Sequence, residues 1–221
     1  MTSNQVVVRK SGLVPYQQAF DEMRRFSVER DSDTTDELWV LEHEPVYTLG
    51  YSCKSRPRGI TKIPVISTDR GGQITYHGPG QLIIYLLLDV TRLQQGVRHL
   101  VSSIEAAIRD VLQGYGIYSE LRENAPGVYV DGEKIASIGI RISRGCSYHG
   151  LSLNVDVDTE PFESIDVCGI PGLKVTNLRR LGCTEPKESI QERCITSLCR
   201  HLNYETITEI REDQSLLSIT G

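Results

Sequence analysis

The chain has 221 residues, and its 29 acidic against 24 basic side chains leave a formal net charge of −5. That length fits one domain over residues 1–221, the acidity argues against general nucleic-acid binding, and the longest apolar run, Leu82–Leu88, is too short to span a membrane. The first residues show no basic start followed by a long apolar segment, so no secretory signal is expected, and six cysteines without C-x-x-C spacing read as reduced thiols of a cytoplasmic protein.

In chain order, Val6–Arg9 reads as a short strand. Pro15 then opens a helix, because Tyr16, Ala19, Phe20, Met23 and Phe26 recur at helical spacing. Leu38–Glu42 and Val65–Thr68 read as strands. Between them, Cys53–Lys62 carries Lys54, Arg56, Arg58 and Lys62 with no acid, a solvated loop or a dock for an acidic partner. Leu82–Leu88 reads as a strand buried on both faces. Val97–Leu112 carries an apolar stripe from Val97 to Val111 and reads as a helix ended by Gly114 and Gly116. Asp131-Gly132 between two apolar runs signals a hairpin. Leu151, Leu153, Val155 and Val157 alternate with Ser152, Asn154, Asp156 and Asp158, the pattern of a half-buried strand. A final helix is expected over about Glu188–Leu202. Close-set strands and about three helices predict a sheet with helices packed on one side.

The stretch Arg70-Gly71-Gly72-Gln73-Ile74-Thr75-Tyr76-His77-Gly78-Pro79-Gly80-Gln81 places four glycines around one arginine and one histidine. Glycine allows close backbone approach to a ligand, so this segment reads as one wall of a binding cleft; the plainer reading is a wide loop ending in a turn. Lys134 heads a strand and by alternation shares a face with Ala136, Ile138 and Ile140, either reaching out to solvent or held buried for a purpose. Gly139 in mid-strand suggests a close approach. Cys194 sits on the apolar stripe of the last helix and reads as core.

Two cysteines remain as nucleophiles. Cys146 has His149 three residues on, a pairing for an activated thiol or half a metal site, although no second ligand pair exists and no metal is expected. Cys168 lies in Val167-Cys168-Gly169-Ile170-Pro171-Gly172, a loop that can present a thiol. A thiol of pKa about 8.5 needs a nearby cation to ionise at neutral pH, and Lys134 is the best placed. No Walker loop, dinucleotide fingerprint or G-x-S-x-G elbow is present.

Five segments in consistent order, Arg70–Gln81, Ala125–Val130, Lys134–Arg141, Arg144–Asn154 and Cys168-Gly169, resemble the octanoyltransferases of lipoate biosynthesis. The resemblance covers about residues 38–178. It implies the α+β fold of biotin and lipoate protein ligases, a central mixed, largely antiparallel sheet with packed helices. It implies transfer of an octanoyl or lipoyl group from acyl carrier protein to a lysine of lipoyl domains, those of 2-oxoacid dehydrogenase complexes and of the glycine cleavage H protein, without cofactor. Cys168 would match the thioester-forming nucleophile and Lys134 its activator. Arg70, Gly71, Gly72, Gln73, Ile74, Thr75, Tyr76 and His77, with Ser137, Ile138, Gly139, Gly150, Leu151 and Ser152, would bind the acyl group. Where the family commonly has proline before the nucleophile, this chain has Val167.

Placing Ser137–Gly139 on the acyl chain while alternation turns Lys134 away is a tension that backbone contacts or a bulge after Lys134 would resolve. Lys134 or His77 could take the proton of the incoming lysine. The alternatives are an ATP-dependent lipoate or biotin ligase on the same fold and a non-catalytic module that holds an acylated partner. An acidic carrier protein would meet basic side chains drawn from Lys54, Arg56, Arg58, Lys174, Arg179 and Arg180.

Overall fold

A computed structural model describes residues 4–93 and 96–211. Its main sheet has seven strands in the order β10 (Thr206–Arg211), β1 (Gln5–Val14), β2 (Asp36–His43), β6 (Gln81–Leu87), β9 (Cys146–Asn154), β8 (Glu133–Ser143) and β7 (Gly127–Val130). β1 runs parallel to both β10 and β2, and every other pair is antiparallel. A smaller sheet has the order β4 (Val65–Ser67), β3 (Val46–Leu49), β5 (Ile74–His77). The architecture is α+β with a mixed, largely antiparallel sheet, as expected. The glycine-rich stretch read as a loop contains β5 and the first residue of β6. Strands β3 and β10 were not anticipated.

Helices cover both faces of the sheet, which corrects the one-sided expectation. α1 (Tyr16–Glu29) buries Tyr16, Ala19, Phe20 and Met23 against Trp39, Leu41, Ile83, Tyr85 and Leu87. α2 (Val97–Gly114) and α3 (Lys187–His201) pack on the opposite side against Leu38, Val40, Leu82, Ile84 and Leu86. The cause lies in β2 and β6, whose consecutive residues are all apolar over Leu38–Leu41 and Leu82–Leu87. Such strands expose apolar surface on both faces, and each fully buried Leu or Ile side chain contributes about 1.5–3 kcal/mol.

The Asp131-Gly132 hairpin forms with both residues at positive φ, 49° and 80°, as a two-residue turn matched to strand twist requires. Its register carries the fold's consequence for function. Val128 pairs with Ala136 but Tyr129 pairs with Lys134, so Ile135 is one residue too many on β8. This bulge reverses alternation at Lys134. Contrary to the simple parity reading, Lys134 turns to the side of Ser137 and Gly139.

β9 is buried along nearly its whole length, so it is not the half-buried strand its alternation suggested. Asn154, 4% exposed, donates to the Thr176 carbonyl at 2.9 Å and accepts from Gln81 Nε2 at 2.9 Å. Its polar side is covered by chain that satisfies it, rather than by water.

Candidate active site

Cys168 sits in a single turn of 3₁₀ helix, Val167–Gly169, with φ 57° and ψ 15°. A non-glycine residue in the left-handed region costs about 1–3 kcal/mol and persists only where its surroundings fix it. They do fix it here. Gly169 N donates to Asp166 O at 2.8 Å, and Asp166 is paired with Arg58 at 2.6 Å, whose other nitrogen donates to Glu163 O at 2.6 Å. Val167, buried at 2% exposure, packs among Ile74, Tyr76, Phe162, Ile165 and Val175. Packing thereby holds the backbone just before Cys168.

The bulge delivers Lys134, only 2% exposed, to the same point. Its Nζ donates to Cys168 Sγ at 2.7 Å, to Pro126 O at 2.8 Å and to Tyr129 Oη at 3.3 Å. Three acceptors match the three hydrogens of an ammonium. Tyr129 Oη presents a lone pair because its own hydrogen goes to Ala125 O at 2.9 Å. Burial pushes Lys134 below the usual 10.5, and the Cys168 sulfur opposes that shift. Burial, then the charge at Cys168, pushes the Tyr129 phenol up, so it stays protonated. Gly127, at φ 131°, leaves room for this lysine: a Cβ there would lie 2.8 Å from Lys134 Nζ.

One cavity begins at this pair. All the expected site residues except Tyr76 line it, together with Tyr16, Ile83, Tyr85, His149 and Val167. Tyr76 points away because β5 alternates. Its ring lies 5.6 Å from that of Tyr47 and 5.4 Å from that of Phe162, in a separate apolar cluster. Gly139 is needed where β8 passes the Arg70–Gly71 turn, since a Cβ there would lie 3.1 Å from Gly71 O. Tyr16 and Tyr85 were legible only as apolar-stripe residues of α1 and β6, with no signal marking them as cavity wall.

His77 is buried and neutral. Its Nδ1 donates to Gln81 Oε1 at 2.7 Å, and Gln81 is itself oriented by its bond to Asn154. Thr48 Oγ1 accepts from Arg70 Nε at 3.0 Å and lies 3.4 Å from His77 Nε2, to which its own hydrogen is free to point. Burial holds His77 well below 6.5, and holds His43, which lies behind it, at about 4. Arg70 is buried too, its guanidinium bound to the Thr48 hydroxyl and carbonyl and to the Gly71 carbonyl.

Cys146 and His149 do not form a pair. Cys146 lies outside the cavity, its Sγ 3.8 Å from Arg144 O and its thiol pushed up by burial. His149 lines the cavity and reaches Asp69 Oδ1 through Nε2 at 2.9 Å. Among the described residues, no group of three or more His, Cys, Asp or Glu could hold a metal ion, and no helix is long and apolar enough to cross a membrane. Cys183, Cys194 and Cys199 are core.

Residues 15–199 match the family model of the lipoyl protein ligase A/B catalytic domain. An octanoyltransferase of Alkalilimnicola ehrlichii is 53% identical over 189 residues, covering 84% of this chain and 87% of that protein. The fold is similar to a bipartite lipoate protein ligase solved with its E2 lipoyl domain from Thermoplasma acidophilum. That likeness has a TM-score of 0.72 and 12% identity, over 97% of this chain and 89% of the other. The biotin protein ligase of Aquifex aeolicus is more distant, at TM-score 0.55 and 14% identity over 90% and 69% of the two chains.

Proposed function

The chain belongs to the lipoyl protein ligase A/B catalytic-domain family and is an acyltransferase that moves octanoyl groups in protein lipoylation; from that premise we propose that it works in two steps through Cys168. The observation that carries this reading is the 2.7 Å contact between Lys134 Nζ and Cys168 Sγ at the head of the cavity.

In the first step Cys168 reacts as the thiolate whose proton Lys134 holds as an ammonium, and it attacks the carbonyl carbon of octanoyl-acyl carrier protein. The new Cys168–acyl bond forms as the carrier's C–S bond breaks, and the departing thiolate takes the proton from Lys134. In the second step the amine of a lipoyl-domain lysine attacks the acyl-cysteine. Its N–C bond forms, the Cys168 thiolate leaves, and Lys134, now neutral, accepts the proton that the amine loses. His77 is disfavoured as that base, because both its nitrogens are occupied by Gln81 and Thr48. Arg70–Thr75, His77, Ser137–Gly139 and Gly150–Ser152 hold the acyl chain. No phosphate is activated, which fits a chain without a phosphate-gripping loop.

The acceptor is a lipoyl domain, the class of partner solved with the Thermoplasma ligase. The donor would dock beside the mouth, where exposed Arg58, Lys174 and Arg180 border one groove. Incubation with octanoyl-acyl carrier protein should leave one octanoyl mass on the wild type and on Cys146→Ser, and none on Cys168→Ser. An adduct that survives in Cys168→Ser would place the nucleophile elsewhere. Product from free octanoate and ATP would instead support a ligase.

A further inference from the structure

The wall of the cavity away from Cys168 is not purely apolar. On the β8–β9 ladder Ser137 pairs with Ser152, Gly139 with Gly150 and Ile140 with His149. His149 therefore lies three residues, about 10 Å, beyond Ser152 on the side away from Lys134. It is 1% exposed, at φ 58°, with Phe20 stacked on its ring at a centroid distance of 5.4 Å.

Its two nitrogens differ. Asp69 accepts from Tyr148 Oη at 2.6 Å through one oxygen and from His149 Nε2 at 2.9 Å through the other. Desolvation alone would raise the Asp69 carboxyl, but the bonds from His149 and Tyr148 outweigh it and hold the group at about 2. Burial keeps the imidazole neutral. An ionised Asp69 only accepts, so the single imidazole hydrogen sits on Nε2 and Nδ1 is left with a bare lone pair. His149 Nδ1 is buried and has no hydrogen-bond partner, and the same holds for Thr75 Oγ1, which lines the same cavity. Native proteins rarely leave buried acceptors unmatched without a functional reason.

We propose that this wall is a second subsite, one that accepts medium-length acyl chains bearing a hydroxyl near the far end, the hydroxyl donating to His149 Nδ1. The occupant must bring a hydrogen, which excludes a carboxylate terminus, and it must be neutral enough to enter a cavity lined by Ile83 and Leu151. A hydroxylated acyl thioester meets both conditions, and Thr75 offers a second hydroxyl for it to bond. A plain alkyl terminus leaves Nδ1 unmatched. The subsite rests on the acyl-transfer reading above.

The test compares octanoyl-acyl carrier protein with 8-hydroxyoctanoyl-acyl carrier protein on the same enzyme. The wild type should use both with kcat/KM within about threefold. Burying an unmatched hydroxyl in an apolar end would cost ten- to hundredfold. His149→Phe should lower the hydroxyacyl-to-octanoyl ratio at least tenfold. Thr75→Val, which only deletes a hydroxyl, should lower it about threefold. Because the readout is a ratio within one variant, partial misfolding cancels. A wild type that uses octanoyl but rejects hydroxyoctanoyl, or a ratio unmoved in both variants, overturns the subsite. Failure of the octanoyl arm itself would overturn the transfer reading instead.

Discussion

The cavity has two polar regions that burial treats in opposite ways. At its head, Lys134 is almost sealed from solvent yet is matched to a sulfur and two oxygens, so a charge can live there. Along its wall His77 and His149, with His43 behind His77, are just as buried, and all three are pushed toward the neutral form. Desolvation disfavours every charge, and a charge persists only where partners replace water. The head is thus arranged for proton transfer, and the histidines of the wall for hydrogen bonding without charge.

The sharpest way to break that contrast is Lys134→Met, which keeps the length of the side chain and removes the ammonium. Acylation of Cys168 should slow at least a hundredfold, within the range expected of a lost general acid–base group. Folding should survive with a lowered Tm, because the buried Pro126 carbonyl and Tyr129 hydroxyl lose their donor, a loss of about 1–3 kcal/mol. A variant that is both active and unstable would make Lys134 a structural strut.

A second effect is expected in the pH profile of acylation. Lys134 titrates below 10.5, so the alkaline limb should fall below that value, as the ammonium that returns a proton to the leaving thiol is lost. A limb at or above 10.5 would mean that Lys134 is not the acid. Smaller again is the contribution of the mouth. Lys174→Glu with Arg180→Glu should raise KM for the acyl carrier protein about tenfold at low salt and far less at high salt, since exposed charges act through screened fields. A change in kcat alone would remove the groove from the docking surface.

Much of this arrangement could be read from residue order, and what could not has definite physical causes. The three helices, the buried β6 and the Asp-Gly hairpin follow from local periodicity and turn chemistry. The face of Lys134 does not: alternation alone assigned it to the core of Ala136 and Ile138, and only the register shift at Ile135 brings it to Cys168. Ser152 and Asn154 mimicked an exposed edge because side-chain polarity cannot report what covers it. Tyr76 fell inside a segment otherwise aimed at the cavity, but a strand sends neighbouring residues to opposite sides. His149 was noticed for its neighbour Cys146, whereas its partner Asp69 is 80 residues away in sequence.

The wall can be tested without any substrate. His43 donates from Nδ1 to Val14 O at 2.7 Å and accepts from Tyr85 Oη at 2.6 Å, so protonating Nε2 would break a buried bond as well as bury a charge. Its pKa is held at about 4 when folded, against 6.5 as the usual value. Between those two values the unfolded chain binds more protons than the native one, so stability must rise with pH across that window and fall as acid is added. One group shifted by that much corresponds to about 3 kcal/mol, and His77 acts in the same direction. Denaturant unfolding from pH 7 to pH 4 should show this loss, and His43→Gln should flatten the slope. If stability stayed level across the window, these imidazoles would already be solvated or paired with charge. The cavity wall would then be as tolerant of charge as its head.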